Sequence, residues 1–322
     1  MTFISEPKWK TLTIGLQSLS GMFLYGMGAN WCRNGSSNST CSDYLFVAEQ
    51  TGTKCAYYGR SERIENMKLR IGIIGCGGIA TGKHLSALKS NGDLCEVVAF
   101  CDGILDRAKK AAQEYGVENA QVCQNYNELL ANPNVDVVYV LTPNISHSPI
   151  AVDAFHAGKH VMCEKPMAIN TAEAEKMMTA WKESGKKFSI GYQNRYRADV
   201  RHLRSACQNG DLGEIYYAKA YAIRRRGVPT WGSFIQGSQQ GGGPLIDIGT
   251  HSLDLALWLM DNYDVESVTG TVFKKLGKLP QTTDGNLWGA WDTSKYDVED
   301  SAIGLHKNEK WSTGCSGDPV GL

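Results

Sequence analysis

The stretch Lys68–Ala80, with the sequence KLRIGIIGCGGIA, is the part of the chain that decides its fold. Its first half is apolar, as in a buried parallel strand, and it then turns through glycines into a predicted helix, Ile79–Ser90. The pattern Gly75-x-Gly77-x-x-Ala80 matches the dinucleotide-binding fingerprint with alanine in its last place. Gly75 permits the tight turn, Gly77 lets backbone approach a pyrophosphate, and Ala80 lets helix pack closely on strand.

A second apolar run strengthens this interpretation, since glycine-rich turns alone are common. Cys95–Cys101 is a predicted strand and is followed by Asp102, which lies 22 residues after Ala80. A Rossmann unit places here the acid that hydrogen-bonds the adenosine ribose. Gly103 offers no positive charge for a 2′-phosphate, although Arg107 lies a helical turn further on. We therefore expect NAD as the cofactor, with NADP less favoured.

Strands and helices alternate from this point to about residue 190. We predict strands at Val135–Leu141, His160–Cys163 and Phe188–Gly191, and helices at Ile104–Tyr115, at His147–Ala157 and from Thr171, the last capped by Asn170. This alternation predicts an α/β fold with a doubly wound parallel sheet. Ligands of such sheets bind beyond the carboxyl ends of the strands.

Composition excludes several classes of function. The 322 residues suffice for two domains and carry a net charge of zero, so no nucleic-acid partner is expected. No run of 18 or more apolar residues predicts a membrane span. The ten cysteines contain neither a C-x-x-C pair nor zinc-ligand spacing. We expect no metal site, and a reducing cytoplasm as the compartment.

Residues 1–66 differ from the rest of the chain because they lack strong periodicity. Thr11–Ala29 loosely resembles a signal peptide, but polar residues and glycines interrupt its apolar core, so secretion is the less favoured alternative. Met67 begins the first strand almost at once, and Glu62-Arg63 ahead of it can be encoded by a purine-rich GAAAGG. We hypothesise that residues 1–66 are mostly translated upstream DNA, disordered or spurious; the nucleotide sequence before codon 67 tests this.

The second domain is predicted to run from residue 191 to residue 322. Its expected elements are a helix at Ala198–Gln208 and strands at Ile215–Ile223, Val265–Phe273 and Val298–Leu305. From His306 to Leu322 the strand pattern is lost. With suitable synonymous codons this tail reads in the neighbouring frame as IKMKNGALVVVEIQLG, a strand, an Asn-Gly turn and a strand. We hypothesise a frameshift near Leu305, which the DNA across codons 300–325 tests.

One helix of this domain carries charged groups that need an explanation. Leu245–Met260 is apolar nearly all round, which predicts a buried helix. Asp247, His251 and Asp254 nevertheless share one narrow stripe of it. A carboxylate and an imidazole inside an apolar helix need partners or a purpose. The two interpretations are a core ion pair and a catalytic pair.

Three motifs together resemble the Gfo/Idh/MocA oxidoreductase family. They are Gly75-Cys-Gly-Gly-Ile-Ala80, Thr142-Pro143-Asn144 with His147, and Glu164-Lys165-Pro166. The resemblance runs from about Lys68 to about Gly304. It implies a Rossmann domain at residues 67–190, followed by an α+β substrate and oligomerisation domain with a large open, mostly antiparallel sheet. Without its last strands, that sheet would be incomplete here.

The resemblance also implies roles for individual residues. Lys165 would reach the nicotinamide and the substrate, and the D-x-x-x-H pair Asp247 and His251 would complete a catalytic triad with it. The implied cofactor-binding residues are Gly75, Gly77, Gly78, Ile79, Asp102, Thr142, Pro143, Asn144, His147, Glu164 and Lys165. Further candidates for substrate contact are Asn194, Arg195 and Trp231. The structural alternatives are a solvated Lys165 and a helix-starting His147 that binds no ligand.

The residue types indicate a mechanism. Alcohol oxidation needs a base for the hydroxyl proton while hydride leaves carbon, and a histidine with an unperturbed pKa near 6.5 suits that task. His251 is the expected base, and Asp247 would orient it or hold the substrate hydroxyl. Lys165 would stabilise the negative charge that develops on the alkoxide oxygen. We expect an NAD(H)-dependent dehydrogenase of a sugar or cyclitol that forms homo-oligomers. The alternatives are an NAD-dependent redox-cycling glycosidase, and a non-catalytic cofactor-binding or inactive truncated product.

Overall fold

The computed structural model describes residues 68–224, 227–229, 232–279 and 289–308. Three of the hypotheses above therefore concern residues outside these ranges: those on residues 1–66, on Trp231 and on the tail beyond residue 308. The chain divides into two compact units between Gly191 and Tyr192.

The first unit is built on a six-stranded parallel sheet. Its strands are β1 (Leu69–Ile74), β2 (Cys95–Cys101), β3 (Gln121–Cys123), β4 (Val137–Val140), β5 (His160–Cys163) and β6 (Phe188–Ile190). They are ordered β3-β2-β1-β4-β5-β6 across the sheet. This is the strand order of a doubly wound dinucleotide-binding fold, whose ligand crevice opens where the winding reverses, between β1 and β4. The predicted Rossmann fold is confirmed.

Helices cover this sheet, and its central strands β1, β2 and β4 are largely buried. They are α1 (Leu85–Ser90), α2 (Leu105–Tyr115), α3 (Tyr126–Leu130), α4 (His147–His156) and α5 (Thr171–Ser184). Phe155 belongs to one apolar core of the unit and Phe100 to another. Asn170 caps α5 as predicted, because its Oδ1 accepts the Glu173 N–H at 2.9 Å.

The predicted helix Ile79–Ser90 is not α-helical throughout. It starts with a π-helical turn, Ala80–His84, and becomes α-helical at Leu85. The buried side chains Ala80 and Leu85 lie five positions apart, one more than an α-helical turn would favour. Such π-turns close hydrogen bonds from i to i+5 and occur frequently at functional sites.

The second unit combines helices with a small antiparallel sheet. Its elements are α6 (Ala198–Gln208), α7 (Gly237–Gln240), α8 (Thr250–Met260), β7 (Val265–Phe273) and β8 (Ser301–Asn308). Strands β7 and β8 pair with each other. Val200 of α6 packs against Leu255 and Leu259 of α8. Arg204 donates to the Trp258 carbonyl and, at 2.7 Å, to Asp261, which satisfies polar groups at the end of α8.

Several expectations for this unit are corrected by the structure. Ile215–Ile223 is not a strand, since within the described residues it has no ladder partner, and an apolar pattern alone does not supply one. Strand β8 spans Ser301–Asn308 rather than Val298–Leu305. The polar residues His306 to Asn308 join it because pairing with β7 supplies backbone hydrogen bonds that periodicity does not reveal.

The predicted helix Leu245–Met260 also differs from the observed one. It begins with a second π-helical turn, Leu245–Gly249, which leads into α8. It is not buried all round, because Leu245 and Leu253 are 54% and 42% exposed. Across the described ranges, the helices are all too short or too polar to span a bilayer.

Candidate functional site

The turn after β1 has a backbone geometry that glycine adopts readily. Gly75 has a φ of +96°, and a Cβ on it would lie 2.6 Å from the carbonyl oxygen of Leu141. Its N–H donates to the Cys101 carbonyl at 2.8 Å, which ties the turn to the end of β2. Glycine is therefore required at position 75 by the fold itself.

The next two glycines have no such role in packing. A Cβ on Gly77 or on Gly78 would meet no atom of the described residues within 4 Å. Close approach of a ligand's phosphates is what would exclude a side chain here. The space in front of Gly77, next to the amides of the helical turn that follows, fits the pyrophosphate of a dinucleotide. Ile79 is 43% exposed beside it.

Asp102 lies next to this turn at the end of β2 and is 8% exposed. Its Oδ2 accepts the Cys76 N–H at 2.8 Å and its Oδ1 accepts the Ile104 N–H at 2.8 Å. These bonds fix the carboxylate and leave acceptor capacity, because a carboxylate offers about four lone-pair sites. A Cβ on Gly103 would meet no described atom within 4 Å. The geometry fits a ribose hydroxyl as an additional donor.

The end of β4 supplies the next polar groups. The buried Oγ1 of Thr142 has no hydrogen-bond partner in the part of the chain that the structure describes. A buried hydroxyl without a partner is costly unless a ligand supplies one. Pro143 precedes a 3₁₀ turn, Asn144–Ser146, in which Asn144 is 9% exposed. A cofactor that lies across the end of β4 fits this arrangement.

His147 is engaged inside the protein. It is 1% exposed, with Nδ1 2.8 Å from the Pro166 carbonyl and Nε2 2.9 Å from the Thr142 carbonyl. Burial lowers the pKa of His147, although the two carbonyls and Glu164 act to raise it. The ring therefore lies between the segment after β5 and the end of β4, and as a neutral imidazole it donates to one of the two carbonyls.

A second histidine, His84, holds the same segment and was missed in the sequence. Its Nε2 lies 2.7 Å from Oε1 of Glu164, whose Oε2 accepts the Lys165 N–H at 3.0 Å. Burial acts to raise the pKa of Glu164, but His84 and Lys165 outweigh it, so that this pKa is lowered and the carboxylate is charged. Lys165 itself is half-buried and precedes a cis bond to Pro166. The only sequence signal was a histidine one turn beyond the fingerprint.

In the second unit, Asp247 lies in the π-helical turn and His251 in the first turn of α8. His251 is 7% exposed and faces Tyr192 edge-on, with ring centroids 6.4 Å apart and an interplanar angle of 90°. The Tyr192 hydroxyl is 3.2 Å from Oγ1 of Thr250, and burial raises the pKa of Tyr192. Neither Tyr192 nor Thr250 stood out in the sequence, since a tyrosine after a short strand has an ordinary structural role.

Asp254, the third member of the predicted stripe, belongs to an ion pair. Arg195 donates to it through both Nε, at 2.8 Å from Oδ2, and Nη2. Burial raises the pKa of Asp254, which Arg195 only partly offsets. Arg195 also lies over the rings of Tyr192 and Trp258, 5.7 and 5.6 Å from their centroids. The Arg195 guanidinium is thus bound to Asp254. The neighbouring residue in the chain, Asn194, is 8% exposed.

The described cysteines and acids show no metal centre. Within the described ranges, no group of three or more histidine, cysteine or acidic side chains could hold a metal ion. The six cysteines described there are free. Burial raises the pKa of Cys76 to about 12, so the side chain beside the glycine turn is a neutral thiol.

The fold and the first unit's binding edge define a Rossmann-type nucleotide-binding protein, and comparison with known proteins identifies its family. Residues 69–192 match the family model described as "Oxidoreductase family, NAD-binding Rossmann fold", and residues 200–314 match the GFO/IDH/MocA C-terminal domain. The chain belongs to the Gfo/Idh/MocA oxidoreductase family.

Two of the relatives are a sugar dehydrogenase and a cyclitol dehydrogenase. The chain is similar to D-glucoside 3-dehydrogenase of Escherichia coli (strain K12), with 42% identity over 236 residues, 73% of this chain and 66% of the relative. It is 30% identical to inositol 2-dehydrogenase of Salmonella paratyphi B (strain ATCC BAA-1250 / SPB7) over 203 residues, 63% of this chain and 57% of the relative.

The structural comparison agrees with the sequence matches. The WlbA dehydrogenase of Chromobacterium violaceum, solved with NADH and UDP-GlcNAcA, matches with a TM-score of 0.62 and 26% identity, over 75% of this chain and 64% of that chain. The matched part of this chain thus spans no more than 66% of the length of these three proteins.

Alanine at Gly75 and at Gly77 should have different effects. Gly77→Ala should unfold like the unaltered chain but bind NADH at least about ten-fold more weakly, because its methyl group would take up space that the pyrophosphate approaches. Gly75→Ala should lower the free energy of unfolding by about 1–3 kcal/mol, because of its positive φ. Urea unfolding and fluorescence titration with NADH measure the two effects. Normal NADH binding by Gly77→Ala would contradict this assignment.

The buried His147 should make the ligand-free chain less stable in mild acid. Because its pKa is lowered in the folded state, its contribution to stability is complete above the unfolded value of about 6.5 and is lost as the pH falls through the folded value. His147→Gln should therefore flatten the decline in unfolding free energy between about pH 7 and pH 5. The exposed His156, changed to Gln, is the matched control. An unchanged slope in His147→Gln would show that other groups cause the decline.

Proposed function

We propose that this protein is an NAD-dependent oxidoreductase that transfers a hydride between a secondary alcohol of a sugar or cyclitol and the nicotinamide. The observation that carries the proposal is the glycine turn, with the fixed Asp102 carboxylate beside open space at Gly77. The names of the relatives support the substrate class, since one acts on a D-glucoside and another on inositol. Glucosides and inositols share a ring of neighbouring secondary alcohols.

The choice of NAD over NADP rests on charge. The Asp102 carboxylate, held by two backbone N–H groups, can accept a hydrogen bond from a ribose 2′-hydroxyl but would repel a 2′-phosphate. Gly103 adds no side chain and no charge at this point. Arg107 is exposed on α2, one helical turn further along. The ribose site is proposed at the negative Asp102, and the positive Arg107 lies a helical turn further along the chain. This order of charges supports NAD.

Each proposed catalytic residue has a separate task. His251 takes the proton of the substrate hydroxyl, since imidazole is the side chain that most often acts as a general base at neutral pH. Asp247 orients that imidazole or holds the hydroxyl, and Tyr192 limits the movement of the His251 ring from the side. Lys165 stabilises the negative charge that develops on oxygen. The bound nicotinamide supplies the hydride acceptor.

Two further properties complete the proposal. We expect the protein to work in a reducing cytoplasm, which the six free cysteines of the described residues support. We also expect it to form homo-oligomers. Gel filtration of the purified chain measures the second property directly.

The function is tested with the purified chain, NAD or NADP, and a panel of glucosides, free sugars and inositols. Absorbance of the reduced cofactor should rise with NAD and at least one of these substrates. His251→Asn should lower kcat by about 10²- to 10⁴-fold with little change in NAD affinity. The exposed His202, changed to Asn, is the control.

Other outcomes would overturn specific parts of the proposal. Release of free sugar from a glucoside without net cofactor reduction would identify a redox-cycling glycosidase. Tighter binding of NADP than of NAD would contradict the role of Asp102. NAD binding without turnover of any substrate in the panel would indicate a non-catalytic cofactor-binding protein.

A further inference from the structure

A chain of contacts leads from the π-helical turn of the first unit to the backbone of Lys165. His84, the last residue of that turn, brings Nε2 to 2.7 Å from Oε1 of Glu164. The other oxygen of the same carboxylate accepts the Lys165 N–H at 3.0 Å. A carboxylate is only an acceptor, so the hydrogen between His84 and Glu164 is on the histidine nitrogen.

The surroundings confine both partners of this pair. The His84 and Glu164 side chains are 15% and 11% exposed. Tyr139 lies edge-on to the His84 ring, with 5.8 Å between the centroids. On the other side, Gly191 approaches so closely that a Cβ on it would lie 3.2 Å from Oε1 of Glu164. A partly buried, charge-assisted bond of this length holds its groups in one orientation more firmly than an exposed pair would.

The position of the pair in the sheet gives it a functional consequence. Glu164 is the first residue after β5, and Lys165 is the second. The orientation of the peptide between them sets the direction in which the Lys165 side chain leaves the backbone. Because its N–H is held by Glu164, and Glu164 is held by His84, a change at His84 is transmitted to Lys165 through two hydrogen bonds.

We propose that His84 is a positioning residue: through the Glu164 carboxylate it fixes the backbone at Lys165 and so the placement of the Lys165 ammonium group. The proposal rests on the proposed function in one respect only, namely that the Lys165 ammonium group stabilises the charge on the substrate oxygen. It assigns Glu164 a role in orienting Lys165 in addition to any contact with the cofactor. It also explains the π-helical turn, which places His84 next to Glu164 at the end of β5.

The first test uses the ligand-free chain and is independent of catalysis. Hydrogen exchange of the Lys165 amide should be at least about ten-fold faster in His84→Leu than in the unaltered chain, when normalised to amides of β4. His84→Gln, whose amide nitrogen can still reach Glu164, should restore protection, whereas the shorter His84→Asn should not. His156→Leu, an exposed position on α4, controls for the loss of a histidine. If His84→Leu does not fold, the comparison of His84→Gln with His84→Asn decides.

The second test asks whether the placement of Lys165 matters for the reaction. With the best substrate from the panel, His84→Leu should lower kcat/KM by about 10- to 100-fold, the usual effect of a misplaced catalytic group. His84→Gln should recover most of that loss. The double variant His84→Leu/Glu164→Gln should be no worse than the poorer single variant, because both changes break one chain of contacts.

The outcomes separate this proposal from the proposed function. Unchanged Lys165 exchange in His84→Leu, or equal exchange in His84→Gln and His84→Asn, would overturn the positioning role even if the enzyme is active. Faster exchange that only His84→Gln rescues would support it even if no substrate is turned over. Faster exchange with unaltered kcat/KM would overturn the claim that the Lys165 ammonium group depends on His84.

Discussion

One row of register partners across the parallel sheet is the constraint on which the candidate cofactor site depends. Cys101 of β2 is in register with Ile74 of β1, Ile74 with Val140 of β4, and Val140 with Cys163 of β5. In a parallel sheet all four strands point the same way, so the residues that follow this row emerge at one edge. They are Asp102, Gly75, Leu141 with Thr142, and Glu164. A slip of one residue in any pair would turn the affected side chains to the other face.

This dependence explains which features the sequence could reveal. The central strands of the first unit are largely buried and were predicted from their apolar runs, and the candidate site residues directly follow them. The three-residue edge strand β3 was not predicted. Local chemistry was equally readable, as with the Asn170 cap and the glycine at position 75. The second unit was less predictable because strands β7 and β8 are mostly exposed and the segment Ile215–Ile223 has an apolar pattern without a ladder partner among the described residues. A pattern of alternation says that a segment can be extended, but a neighbouring strand decides whether it joins a sheet.

The two histidines of the first unit show a further limit of sequence reasoning. His147 was visible because it follows the Thr142-Pro143-Asn144 motif, yet both its ring nitrogens face carbonyls of the protein. His84 was not singled out, although it bonds a carboxylate 80 positions away. Its role depends on a π-helical turn and on the sheet order that brings the ends of β1 and β5 to the same edge. Both histidines hold the segment that contains Lys165, one through Glu164 and the other through Pro166.

The second unit contains a core ion pair on the charged stripe, but this pair does not involve the two residues for which a catalytic role is proposed. The core ion pair is Asp254 with Arg195, and the catalytic interpretation concerns Asp247 and His251. The ion pair has a consequence for the other two, since Arg195 lies in the short 3₁₀ turn Gln193–Tyr196, directly after Tyr192. By tying this turn to α8, Arg195 keeps Tyr192 beside His251 and its hydroxyl beside Thr250. Loss of the pair would leave a buried charge and would also release Tyr192, which limits the movement of the His251 ring. The proposed catalytic group His251 therefore depends on a structural ion pair of the same helix.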